Sequence, residues 1–177
     1  MAESLGYILR SSINVKESLI PLENEMKIVE SYQTIQSYRF EERLDFHMDI
    51  SEDLYTCHVP KFMLQPLVDN SIRYGLQKMI GTCTILVSVH QDGDHLIFTV
   101  EDNGVGIENE LLQKIVSWDY ESQGNGIGLK NIQHRIQTLF GQEFGISIDS
   151  EVGKGTTVRI RLPVIRGDHN VQSAIGR

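Results

Sequence analysis

Cysteine is scarce in this chain: Cys57 and Cys83 are the only two among 177 residues, and they stand in unrelated contexts. They assemble neither a zinc site nor a disulfide framework, and a reducing, cytosolic setting is the simplest expectation. Apolar runs of membrane-spanning length are missing, and the N-terminus shows no signal-peptide pattern, so a soluble piece is expected, possible as part of a membrane protein. Positive charge is short as well. The formal net charge is −8 and the basic residues are dispersed, which argues against a nucleic-acid partner. Repeats and low-complexity tracts are absent. What remains is an ordinary proportion of apolar residues, enough for one domain with a real core plus appendages.

Periodicity places the elements. Ser4 to Ser12 reads as a short helix. Pro21 suits a first helical turn, and Leu22, Met26, Val29, Gln33 and Gln36 follow at helical spacing. Glu23 and Glu25 early and Arg39 late match that helix's dipole. In "RLDFHMDI", Leu44, Phe46, Met48 and Ile50 alternate with polar neighbours, as in a half-buried strand. A second helix is expected from near Pro60 to Tyr74, stopped by Gly75. "TCTILVSVH" and "HLIFTVED" form a hairpin around Asp92-Gly93, with a connection longer than two residues. Glu108 to Val116 reads as a short helix, Ser117 to Gln123 as irregular, and Ile127 to Phe140 as a helix stopped by Gly141. "FGISIDS" and "TTVRIRLP" pair around "EVGKG", and a loose polar tail follows Pro163. The fold class is α+β: helices on one face of a mixed, mainly antiparallel sheet. The other sheet face and the N-terminal helix are candidate interaction surfaces.

Four polar or glycine-rich stations punctuate this order. Asn70 interrupts the apolar face of the second helix, with Arg73 and Tyr74 three and four positions on. A neutral amide oxygen there can complete a magnesium shell made otherwise of phosphates and waters; alone, it reads more simply as a partner for a neighbouring loop. Asp102 ends a strand, and Gly104 and Gly106 let the backbone approach a flat ligand closely. A carboxylate at a pocket floor accepts from the exocyclic amine of adenine and opposes the carbonyl of guanine, although a buried turn capped by Asp102 explains the stretch equally well. Gly124, Gly126 and Gly128 open a helix whose free amides suit an anion. Their spacing is not that of a dinucleotide-binding fold. Gly155-Thr156-Thr157 starts a strand. "GKGTT" is no phosphate-binding loop of the Gly-x4-Gly-Lys type, since Ile148 stands where the first glycine belongs and a strand follows.

Taken together, in this order, the stations resemble the GHKL ATP-binding superfamily, which includes histidine kinases, gyrase, the 90-kilodalton heat-shock chaperones and mismatch-repair ATPases. "MLQPLVDNSIRYG" is most similar to the "LQPLVENAIKHG" run of LytS/YesM-type sensor histidine kinases. "IPLENEMKIVESYQTIQSYRF" is similar to the segment those kinases carry before the ATP-binding domain. The resemblance covers Ser4 to Pro163 and implies a Bergerat-type two-layer sandwich that binds ATP and magnesium. It implies that Asn70 coordinates magnesium, that Arg73 and Tyr74 border the nucleotide and that Arg73 helps hold phosphates. Asp102 would read adenine, assisted by Thr156 through a water. Gly104, Gly106 and Ile107 would flank the base, and Gly124, Gly126 and Gly128, followed by Leu129, would bind phosphates. Residues 108–123 become a lid.

Two departures shape the expected function. Asp69 replaces the usual Glu beside the asparagine. One helical turn before Asn70, where gyrase-like relatives have a general-base Glu, stand Pro66 and Gln65, so hydrolysis for its own sake is disfavoured. None of the six histidines (His47, His58, His90, His95, His134, His169) has the setting of a phosphoacceptor. The expectation is therefore a catalytic fragment: residues 1–41 a helical lead-in, 42–163 the ATP-binding domain, 164–177 a flexible tail. It would transfer the γ-phosphoryl to a His on a separate domain of the same homodimeric kinase, which then serves a response regulator. The fragment would be cytoplasmic and the whole protein anchored in the bacterial plasma membrane through segments upstream. The alternatives are a degenerate nucleotide-binding or dimer-scaffold module and an anti-sigma-type Ser/Thr kinase; a gyrase-like clamp lacks the base.

Overall fold

The computed structural model describes residues 2–13, 18–78, 81–118 and 127–167. Two helices come first, α1 (Ala2–Ile13) and α2 (Leu22–Phe40), packed against each other and separated by a short strand, β1 (Leu19–Pro21). Strand β2 (Leu44–Ile50) follows, then β3 (His58–Pro60), which pairs antiparallel with β1. The remaining order is α3 (Gln65–Lys78), β4 (Cys83–Asp92), β5 (His95–Asp102), α4 (Asn109–Val116), α5 (Ile127–Phe140), β6 (Gly145–Glu151) and β7 (Gly155–Pro163).

Five strands form the main sheet in the order β2-β4-β5-β7-β6, with β2 parallel to β4 and every other pair antiparallel. The alternation read in β2 holds in part, since Leu44 is buried and Phe46 and Ile50 half-buried but Met48 is exposed; in β4 and β5 it is complete. Ile85, Val87 and Val89 of β4 and Leu96, Phe98 and Val100 of β5 are buried, while Leu86 and His90 on the opposite face are exposed. Ile72 of α3 and Ile132 and Ile136 of α5 join the same core, so helices cover one face and leave the other open. This is the α+β, Bergerat-type arrangement expected.

Three local expectations change. The turn joining β4 to β5 is a two-residue loop, because Asp92 pairs with His95 and only Gly93 and Asp94 lie between them. Gly93 adopts φ +57°, the conformation such a tight turn requires. Helix α3 neither starts at Pro60 nor stops at Gly75. The amides of Phe62, Met63 and Leu64, which a helix would begin to use, are bonded instead to the carboxylate of Glu25, and Phe62 itself has φ +57°. Gly75 lies inside α3 for a packing reason: a Cβ there would stand 2.6 Å from the Cys83 sulfur. Finally, the chain stays packed beyond Pro163. Val164 N–H donates to Asp94 O, Ile165 O accepts from His58 N–H, and Ile165 is buried, so the loose tail does not begin at residue 164. Residues 168–177 lie outside the described part.

Candidate nucleotide site

The carboxylate that the sequence singled out is held by three hydrogen bonds at the end of the sheet. Asp102 is the last residue of β5, opposite Ile85 on one side and Thr156 on the other. Its Oδ1 accepts from Gly104 N–H at 2.9 Å. The Ser71 hydroxyl and the backbone amide of Thr156 also donate to this carboxylate. Burial pushes the Asp102 carboxyl above the usual aspartate value, and these three bonds pull it back only in part. An ionised carboxylate offers about four acceptor positions. Three are taken, which leaves capacity for one more donor.

Glycines make the space around it. A Cβ on Gly104 would lie 2.9 Å from the Gly75 Cα, so α3 and the turn after β5 approach each other backbone to backbone. Gly106 has φ +71° and turns against the Glu151 carbonyl, which occupies the place of a side chain. Next to it, Ile107 N–H donates to Ser150 Oγ at 2.9 Å. The Ser150 hydroxyl donates in turn to Gly155 O at 2.9 Å and lies 2.9 Å from Thr156 Oγ1. Since the single Ser150 proton goes to Gly155, Thr156 is the donor in that last contact.

The other named residues distribute as follows. Asn70 is half-buried on α3, one position before Ser71, so the magnesium candidate and the hydroxyl that bonds Asp102 are neighbours on one helix. Arg73 is exposed with its guanidinium 5.8 Å from the Tyr74 ring centre. The Tyr74 hydroxyl is buried without a hydrogen-bond partner among the described residues. Gly128, in the first turn of α5, faces Pro66: its Cβ would stand 3.8 Å from the Pro66 Cβ. The starts of α3 and α5 thus meet at one place. Leu129 is half-buried and packs on the core. Gly124 and Gly126 lie outside the described residues, as do residues 119–123 of the expected lid; Asn109–Val116 of that lid is the helix α4.

A model of the histidine kinase-, DNA gyrase B- and HSP90-like ATPase family matches residues 60–166, the stretch that holds every one of these groups. The chain belongs to this family. A histidine kinase model matches residues 1–44 in front of it. The chain is 41% identical over 163 residues to the sensor histidine kinase YesM of Bacillus subtilis, covering 92% of this chain and 27% of that protein. It is 37% identical over 149 residues to the sensor protein LytS of Bacillus anthracis, covering 84% and 25%. It therefore spans about a quarter of the length of these relatives. Among solved structures, the histidine kinase domain of the Erythrobacter litoralis EL346 blue-light activated kinase matches with a TM-score of 0.64 at 16% identity, covering 98% of this chain and 76% of that one. The catalytic domain of histidine kinase ThkA matches with a TM-score of 0.64 at 17% identity, covering 83% and 95%. At such identities the structural likeness is one of fold, while the sequence likeness bears out the LytS/YesM-type resemblance.

Within this family fold the residues present fit an adenine nucleotide with a magnesium ion. The cradle is built of backbone where Cβ atoms would intrude, and among the described residues three donors serve the roughly four acceptor positions of Asp102. Among the described residues no cluster of three or more His, Cys, Asp or Glu could hold a metal alone. Ser71 and Ser150 were not singled out from the sequence. Ser71 carried one usable signal, a hydroxyl where the similar run of the resembling kinases has alanine.

Proposed function

We propose that this chain is the ATP-binding catalytic unit of a two-component sensor histidine kinase. The observation that carries the reading is the Asp102 carboxylate, buried at the sheet end with three donors in place and room for a fourth. Adenine N6 supplies that donor, and guanine, with a carbonyl there, leaves two acceptors opposed. Asn70 would hold the magnesium ion, whose charge offsets that of the β- and γ-phosphate oxygens. Arg73 stands exposed on the same helix for the phosphates, together with Gly128 and the amides at the start of α5.

Transfer rather than hydrolysis follows from Pro66. The place one turn before Asn70 holds the apolar ring of Pro66, on the side toward Gly128, and no carboxylate stands at that position to activate water. A histidine nitrogen needs no such base from this domain. It attacks the γ-phosphorus, the bond to the bridging oxygen breaks, and ADP leaves. Positioning and charge stabilisation do most of this work. The acceptor histidine belongs to a helical segment preceding α1 in a homodimeric protein, and a response regulator takes the phosphoryl group next. No helix among the described residues is long and apolar enough to cross a membrane. Anchoring in the plasma membrane would fall to other segments of the whole protein, with this unit on its cytoplasmic side.

The test is phosphotransfer from γ-labelled ATP onto a separately supplied helical segment bearing the acceptor histidine. Acid-labile, alkali-stable label on that segment, dependent on Asp102, supports the kinase reading. Release of free phosphate without labelled protein would favour hydrolysis instead.

A further inference from the structure

Helix α2 holds helix α3 at two places, seven residues apart on α2 and hence on one face. The first is Glu25, fully buried, whose Oε1 accepts from Met63 N–H at 2.8 Å and Leu64 N–H at 3.0 Å, and whose Oε2 accepts from Phe62 N–H at 2.8 Å. These amides form the lead into α3, whose first turn begins with Leu67 and Val68 bonding back to Leu64 O. The second is Tyr32. Its hydroxyl is bonded by the Gln36 side chain, one turn along the same helix, and donates to Asp69 Oδ1 of α3. Asp69 immediately precedes Asn70, and successive side chains of a helix point about 100° apart. With Asp69 held against α2, the direction of Asn70 is set.

We propose that Tyr32 is a positioning residue for Asn70: its bond to Asp69 fixes the rotation of α3 about its own axis, so the conformation of α2 enters the affinity for magnesium-nucleotide. Glu25 fixes the position of the helix start, and Tyr32 fixes the azimuth one and a half turns later. A displacement of α2 turns the Asn70 amide away from the phosphates, while Asp102, on the sheet, keeps its bonds from Gly104 and Thr156 and loses at most the one from Ser71. The inference rests on the reading of Asn70 as the magnesium position.

Calorimetric titration of the whole chain with a non-hydrolysable ATP analogue, once with magnesium and once with EDTA, tests it. The proteins are wild type, Tyr32→Phe, Asp69→Asn, Asp69→Ala and Tyr32→Phe/Asp69→Ala, each checked by circular dichroism to be folded at the working temperature. Wild type should bind better with magnesium. Tyr32→Phe should lose about fivefold with magnesium, the size of one net hydrogen bond, and much less in EDTA. Asp69→Ala should match it, the double variant should be no worse than either single, and Asp69→Asn, which keeps an acceptor oxygen, should stay near wild type. Equal losses with magnesium and EDTA, no loss in Tyr32→Phe, or losses that add would overturn the proposal. Should Asp69→Ala not fold, Tyr32→Phe alone decides. Wild-type binding indifferent to magnesium would instead remove the reading of Asn70, and with it this inference.

Discussion

The backbone carbonyl of Asp102 occupies the place where Gly155 would carry a side chain. Gly155 opens β7 at φ +119°, and the residue after it, Thr156, pairs with Asp102 across the strands. The Asp102 strand end and the start of β7 are therefore built in one piece, and a methyl group cannot be added between them without moving one strand.

Gly155→Ala should destabilise by about 3 kcal/mol, combining a backbone conformation L-residues avoid with a collision against main chain. Gly153, at φ +79° with open space around it, is the internal control, and its replacement by Ala should cost only about 1 kcal/mol. Urea unfolding of both variants checks this. Equal costs would mean that β7 can shift away from Asp102.

Ser150→Ala removes the acceptor of Ile107 N–H and the orienting partner of Thr156 together. A loss of about 1–2 kcal/mol in stability is expected from the stranded amide. Nucleotide affinity should fall as well, and Ser150→Thr, which retains the hydroxyl, should restore it. Stability loss with unchanged affinity would separate Ser150 from the adenine end.

Acidity acts on Asp102. Burial raises its carboxyl above the ordinary aspartate value of 3.8, with Ser71, Gly104 and Thr156 opposing. A group shifted upward on folding contributes stability that is complete below 3.8 and lost as pH rises through the folded value. Binding should have the opposite sense, since on the proposed reading it is the ionised form that accepts from adenine. Affinity should thus fall on acidification at a higher pH than an ordinary aspartate would give. Ser71→Ala, lacking one bond to the charged form, should move that fall higher still. Coincident affinity–pH profiles for wild type and Ser71→Ala would contradict this account of the carboxylate.

Glu25 gives a stability test with a definite sign. Burial raises its carboxyl above 4.5, while the amides of Leu64, Phe62 and Met63 and the charge of Arg135 oppose. The native state then holds the proton more tightly than the unfolded chain, so wild type gains stability as pH falls through the raised value and has the full gain below 4.5. Glu25→Gln has no such proton. The difference in unfolding free energy, wild type minus variant, should rise between neutral pH and pH 5. At neutral pH the variant turns a donor toward amides and should lose about 1–3 kcal/mol. A difference independent of pH would mean that Glu25 is held in the same charge state throughout.

What the sequence made legible is what short-range pattern encodes. Strands β4 to β7 and helices α2 and α5 follow from period, and Asp102, Gly104 and Gly106 stand out only through their order with the other stations, because Asp and Gly are ordinary residues of a strand-to-helix turn. Gly75 misled for the same reason: a helix-stopping glycine and a close-packing glycine look alike until Cys83 and Gly104 are seen against it. The delayed start of α3 was invisible because its cause, Glu25, lies 37 to 39 residues away in the chain. Ser71 and Ser150 escaped notice because serine in a helix or edge strand is unremarked until its partner is known. Tyr32 and Asp69, also 37 residues apart, joined two stretches that had been read separately.

The most direct test of the central claim is calorimetric titration of this chain with a non-hydrolysable ATP analogue in magnesium, beside the GTP counterpart and Asp102→Asn. The account predicts binding of the adenine analogue, much weaker binding of the guanine one, and loss of the adenine preference in Asp102→Asn. Absence of binding at millimolar analogue, or equal affinity for both bases, would contradict it.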